Sequence, residues 1–138
     1  MAASSELTVV IPTRNRSHLV RNQIEHYAGV GFPFKIIYID ASDEDQYQAN
    51  KAALALRAEK LSCEIWRANP SPQRNPARRI NDQFRDYIDR IDTPFVCQSG
   101  DDDFFFESGV RAAFVELQAQ VPAPLPCDTT SPLQRSPE

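Results

Sequence analysis

The chain has 138 residues, 41% hydrophobic and 25% charged, with a formal net charge of -4, which allows one modest core and excludes a second domain of ordinary size. Its acidic balance, with a pI near 5.2, excludes duplex nucleic acid and anionic membranes as main partners, because both need a basic face. No basic segment followed by an apolar stretch opens the chain, and no apolar run approaches the roughly 18 residues of a bilayer span, so a cytoplasmic location and no transmembrane segment are expected.

Residues 1–6 show no pattern and are expected to be disordered. Leu7–Ile11 is a β-branched apolar run closed by Pro12, which suits a buried strand better than a helix. After Thr13-Arg14-Asn15-Arg16, Ser17 can cap a first helix in which Leu19, Val20, Ile24, Tyr27 and Ala28 share one face, until Gly29 and Gly31 break it. Lys35–Ile39 reads as a second strand ending at Asp40. The acids Asp43, Glu44 and Asp45 then suit the N-terminus of a second helix that runs to about Leu61.

Cys63–Arg67 reads as a third strand, and Pro70, Pro72 and Pro76 make the stretch from Asn69 a loop. Asn75-Pro76 is a good cap and first-turn pair for a third helix, with Ile80, Phe84, Ile88 and Ile91 on one stripe and Arg78, Arg79, Arg85 and Asp86 off it. Thr93-Pro94 ends that helix, Phe95-Val96-Cys97 is a fourth strand, and Ser108 opens a last helix through Val110, Phe114, Leu117 and Val121. Strand and helix alternate throughout, which predicts a three-layer α/β/α domain over residues 7–121 around a mainly parallel, Rossmann-like sheet. Residues 122–138 hold five of the eleven prolines and no period, so a disordered tail is expected there. Cys63, Cys97 and Cys127 are far apart with no paired spacing, which suits free thiols better than disulfides or zinc.

In an open parallel sheet, ligands bind outside the carboxyl ends of the strands. Here those ends are Pro12–Arg16, Asp40, Arg67 and the run Asp101-Asp102-Asp103. Carboxylates ~5 Å apart repel by about 3 kcal/mol per ionised pair at an effective dielectric of about 20, before screening. The nearest basic residue along the chain is Arg111, so a divalent cation is the candidate relief; oxygen-only ligands suit Mg2+ or Mn2+ bridging to phosphates. The alternative is a solvated acidic loop whose carboxylate caps the next helix. Arg14, Arg67, Arg74, Arg78 and Arg79 are possible diphosphate partners or a solvated surface. Phe104, Phe105 and Phe106 could wall a ligand pocket or pack beneath the loop. His18 and His26 are too far apart in sequence for a paired metal site. No Gly-x-Gly-x-x-Gly or Walker-type loop follows the first strand, and Pro12-Thr13 stands where a receiver or phosphatase domain needs an Asp.

Three of these strand ends, in order, resemble the nucleotide-sugar half of family 2 glycosyltransferases, which have the GT-A fold. Leu7-Thr-Val-Val-Ile-Pro-Thr-Arg-Asn-Arg16 is similar to that family's opening strand and turn, Ile37-Tyr-Ile-Asp-Ala-Ser42 to its second strand, and Gly100-Asp-Asp-Asp-Phe104 to its Asp-x-Asp segment. The sequence departs in having Arg14 where many members have an aromatic residue and a single Asp40 where many have a pair.

The resemblance implies that Pro12, Thr13, Arg14, Asn15 and Arg16 lie against the nucleotide with Asp40, Arg78, Asp101 and Asp102, and that Asp40 meets the base or ribose. Asp101 and Asp103 would hold Mn2+ or Mg2+ against the diphosphate, although an alternative register makes Asp102 the key acid. A nucleoside diphosphate sugar, a UDP-sugar foremost, would be the donor, and an acceptor hydroxyl on a glycan, lipid or small molecule would receive the sugar with inversion. The family's acceptor site and general base follow the Asp-x-Asp segment, and this chain is expected to stop short of them, leaving the sheet incomplete on its C-terminal side. A non-catalytic nucleotide-sugar-binding or interaction module is the second reading.

Overall fold

The computed structural model describes residues 4–72 and 74–120. The described residues up to Phe104 form one compact unit. Its elements are β1 (Ser4–Thr13), α1 (Ser17–Val30), β2 (Phe34–Asp40), α2 (Glu44–Ala55), β3 (Cys63–Arg67), α3 (Pro76–Arg85), a 3-10 turn (Ile88–Arg90) and β4 (Phe95–Gln98). A last helix, α4 (Glu107–Gln120), belongs to a second unit and carries an Arg111–Glu107 ion pair of 2.9 Å one turn apart. The expected tail, residues 122–138, lies outside the described residues, as does Cys127; Cys63 and Cys97 are free thiols.

The four strands make one sheet in the order β3-β2-β1-β4, and every neighbouring pair is parallel. A central parallel strand is covered on both faces and must be apolar throughout. Val9, Val10 and Ile11 of β1 and Ile36, Ile37 and Ile39 of β2 meet that demand, all essentially without solvent exposure. Burying each such side chain contributes about 1.5–3 kcal/mol.

Alternation along the strands sorts these residues between two faces. Val10, Ile37 and Ile39 pack on Phe84 of α3 and on Tyr87 and Ile91 around the 3-10 turn. Tyr38 points the other way and donates from its hydroxyl to Gln23 of α1 at 2.9 Å. Because α1 packs against α2, the unit is a three-layer α/β/α arrangement with α1 and α2 on one face and α3 on the other.

The chain runs outward from β1 through β2 to β3 and then returns across the sheet to place β4 on the free side of β1. The strand order therefore reverses between β1 and β4, which opens a crevice at their carboxyl ends.

Several boundaries differ from the sequence reading. β1 begins at Ser4, paired with Phe34, so residues 4–6 join the sheet. Arg16, not Ser17, occupies the N-cap position of α1 and makes no side-chain cap bond. The Ser17 amide donates to Gln46 Oε1 at 3.1 Å. Gly29 stays within α1, and Gly31, at φ 65°, ends it with its amide on Ala28 O while Phe32 N donates to Tyr27 O.

α2 stops at Ala55 because the next residues tighten into i→i+3 turns, Arg57 to Leu54 and Lys60 to Arg57, that bring Leu61 into the core. α3 likewise ends at Arg85, and Ile91 reaches the shared core from beyond the 3-10 turn.

Candidate functional site

A cleft of about 390 Å³ occupies the crevice between β1 and β4. Its floor comes from Pro12, Thr13, Arg14 and Arg16 after β1 and from Gln98 through Asp102 after β4; Pro76, Arg79, Ile80 and Gln83 of α3 form the third side. Asn75 starts α3 by accepting from the amides of Ala77 and Arg78, with Pro76 in the first turn. Gln83 then ties the helix to the sheet ends, its Nε2 donating to Ile39 O at 3.1 Å and Thr13 O at 3.4 Å.

The acidic run is divided by its neighbours. Asp101 is only 5% exposed. Its Oδ2 accepts from Thr13 Oγ1 at 2.9 Å, and its Oδ1 pairs with Arg16 Nη1 at 2.8 Å. Arg16, from the β1–α1 turn, therefore supplies a cation that is absent nearby along the chain, and it reaches Asp102 Oδ2 as well, at 3.9 Å. Asp102 and Asp103 are exposed and fold back over Gly100: Asp102 Oδ1 and Asp103 Oδ2 each come within 2.9 Å of the point where a Cβ on Gly100 would lie. Any side chain at Gly100 would push these two carboxylates away. Of the expected metal pair, the Asp101 carboxylate is engaged by Thr13 and Arg16, while that of Asp103 lies over Gly100 beside Asp102.

The turn after β1 is locked to the turn after β2. Asn15 adopts φ 54°, a left-handed conformation that costs about 1 kcal/mol outside glycine and that Asn tolerates best. Its amide donates to Ser42 Oγ at 2.8 Å, its Oδ1 accepts from Asp43 N at 2.8 Å, and its Nδ2 donates to Asp43 Oδ2 at 3.2 Å. Asp40 supports this junction from within. It is fully buried, accepts from Ser42 N at 2.9 Å and Asn50 Nδ2 at 2.8 Å, and does not line the cleft. The orientation of the Asn50 amide follows from Asp40, which needs a donor. Asn50 Oδ1 is left buried without a partner among the described residues.

The structure thus gathers Pro12, Thr13, Arg14, Arg16, Asp101 and Asp102 around one cleft, with Asp103 beside them on the same loop. Asn15 shapes the turn, and Asp40 sits behind it, outside the cleft lining. Arg78 lies on the exposed side of α3 outside the cleft lining, and its neighbour Arg79 takes the place within it. Arg67 is committed elsewhere, stacked 4.3 Å over the Tyr47 ring and paired with Glu44 at 3.0 Å. Phe104 packs on the His26 ring at 4.9 Å, and Arg74 is exposed outside the lining.

Two glutamines were not anticipated. Gln83 falls three residues after Ile80, and Gln23 falls between Val20 and Ile24 on the buried stripe of α1. A polar residue at an apolar stripe position is the signal that both carry.

Among the described residues no three His, Cys, Asp or Glu side chains converge into a cation cage. Mg2+ and Mn2+ commonly keep their waters and take only one or two carboxylates plus substrate phosphates, and Asp102 and Asp103 fit that smaller donor set. Nor is a helix long and apolar enough to cross a membrane present among the described residues. Comparison with models of known protein families and with characterised proteins gives no match for the chain.

Proposed function

We propose that the cleft between β1 and β4 binds a nucleoside diphosphate sugar together with Mn2+ or Mg2+, and that the chain is the donor-binding part of a GT-A glycosyltransferase of family 2 type. The observation that carries this reading is the meeting of three guanidinium groups, Arg14, Arg16 and Arg79, with the Asp101–Asp103 loop at the point where the strand order reverses. A polyanion that brings its own divalent cation satisfies both halves of that charge pattern.

Arg14 and Arg79 line the cleft and make no ion pair among the described residues, so their planar donor sets are available to phosphate oxygens. Arg16 stays with Asp101 and holds the acidic loop against the turn after β1. Asp102 and Asp103 are the residues that would hold the cation. Held there, a divalent cation would supply Lewis-acid stabilisation of the negative charge on a diphosphate leaving group. Arg14 from the turn after β1 and Arg79 from α3 add to that stabilisation. Asp40 contributes indirectly, by fixing the Ala41–Asp43 turn to which Asn15 is bonded.

Calorimetric titration of the chain with UDP, with and without Mn2+, tests the binding step, and transfer from a UDP-sugar tests turnover. Binding that strengthens with Mn2+ is expected. Binding without transfer would identify a binding module, and no Mn2+-dependent binding would overturn the reading.

A further inference from the structure

The loop that carries Asp102 and Asp103 is held at Asp101 by Thr13 and Arg16 and, through its backbone carbonyls, by a side chain of α1. Gln23 of α1 is fully buried beneath the sheet end, and its Nε2 donates to two carbonyls of the loop, Gly100 O at 2.8 Å and Asp103 O at 2.6 Å. Carbonyls only accept, so both hydrogens of the amide group are committed and the nitrogen must face the loop. That leaves Gln23 Oε1 facing β2, where the Tyr38 hydroxyl donates to it at 2.9 Å. Tyr38 has nearly no exposure, and burial raises its pKa well above the ordinary phenol value, so it remains a donor at neutral pH.

The relay is saturated in one direction only, from the Tyr38 hydroxyl through the Gln23 amide to the loop carbonyls. Gly100 O and Asp103 O bracket the turn that Asp103 N closes onto Gly100 O at 3.4 Å. Gln23 therefore clamps both ends of the segment whose carboxylates fold over Gly100. No other residue type supplies this pattern: Glu has no amide hydrogens, Leu has no donor, and Asn is a methylene too short.

We infer that Gln23 is the positioning residue of the candidate cation site, setting the separation of the Asp102 and Asp103 carboxylates from a place where it touches neither ligand nor cation. Its role in cation binding rests on the donor-site reading above. Its role in holding the loop does not.

The test uses the whole chain carrying Gln23→Leu, which keeps the side-chain volume and removes the donors, and separately Tyr38→Phe, which leaves Gln23 in place and removes the donor to its Oε1. Two quantities are read in each folded variant: the affinity for Mn2+ alone, and hydrogen exchange at the amides of residues 100–103. Loop exchange at least tenfold faster than in the wild type, with β1 and β2 amides unchanged and Mn2+ affinity weakened at least tenfold, supports the inference. Affinity for UDP in EDTA should change less than twofold, because Arg14 and Arg79 are untouched. That split separates loop positioning from general damage. If wild-type chain binds no Mn2+, the donor-site reading falls, and faster loop exchange in the variant still supports Gln23 as the clamp. Wild-type loop protection together with wild-type Mn2+ affinity in folded Gln23→Leu chain would overturn the inference.

Discussion

The Arg16 guanidinium lies 2.8 Å from the nearly buried carboxylate of Asp101, joining the turn after β1 to the loop after β4 across 85 positions of sequence. A carboxylate so enclosed needs partners, and it has two, Thr13 and Arg16. Arg16→Met keeps the side-chain stem and removes the charge. It should destabilise the chain by about 1–3 kcal/mol, and the combination with Asp101→Asn should recover part of that loss, because the cost lies in leaving one partner alone. Urea unfolding of the two single variants and the double variant measures the coupling; strict additivity would contradict it.

The three acids should separate by phenotype. Asp102→Asn and Asp103→Asn change exposed side chains and should leave stability within about 0.5 kcal/mol, while Mn2+-dependent UDP binding weakens by about tenfold or more. Asp101→Asn should behave oppositely, lowering stability first. Parallel calorimetry and urea unfolding check both, and equal loss of stability in all three would contradict the division of roles.

Asp40 is predicted to act on stability and not on ligand contact. Asp40→Ala leaves Ser42 N and Asn50 Nδ2 buried without their acceptor and should cost about 2–4 kcal/mol. In conditions where the variant remains folded, its UDP affinity should stay within a few-fold of wild type. A stable variant that binds no UDP would restore Asp40 to the binding surface.

Stability should fall on the alkaline side. Burial raises Tyr38 above its ordinary 10.0 and the Cys63 and Cys97 thiols above 9.0, and the hydrogen bond to Glu64 raises Lys35 above 10.5. Each group holds its proton more tightly folded than unfolded. Its contribution is complete below the unfolded-chain value and is lost as pH rises from there toward the folded value. The urea midpoint should be steady near neutrality and decline from about pH 8.5 upward as thiols, phenol and ammonium titrate in the unfolded chain. A midpoint that rises between pH 9 and pH 11 would contradict these directions.

What could be read along the chain was what local chemistry dictates. Cys63–Arg67 and the Asn75-Pro76 start of α3 stand where expected, because a short strand bounded by a proline-rich loop and a side-chain cap are decided within a few residues. Strand order is decided by which crossovers pack, and the sequence does not display that. For this reason the acidic run looked unpaired when Arg111 was its nearest cation in sequence, while Arg16, brought beside it by β1–β4 pairing, is its partner in space. Asp40 shows the same limit in reverse. A carboxylate at a strand's carboxyl end reads as a ligand group, and only the packing of α2, through Asn50, shows that its oxygens are already engaged. Gln23 lay on the apolar stripe of α1, but its meaning depends on Tyr38 and Gly100, fifteen and seventy-seven residues away.

Occupation of the cleft at the ends of β1 and β4 by a nucleoside diphosphate with its cation is best measured by an amide-resolved NMR titration with UDP and Mg2+. Binding should shift amides of residues 12–16, 79–83 and 98–103 and leave those at the far end of the sheet, such as Phe34 and Cys63, unmoved. Shifts centred elsewhere, or none at saturating UDP and Mg2+, would contradict it.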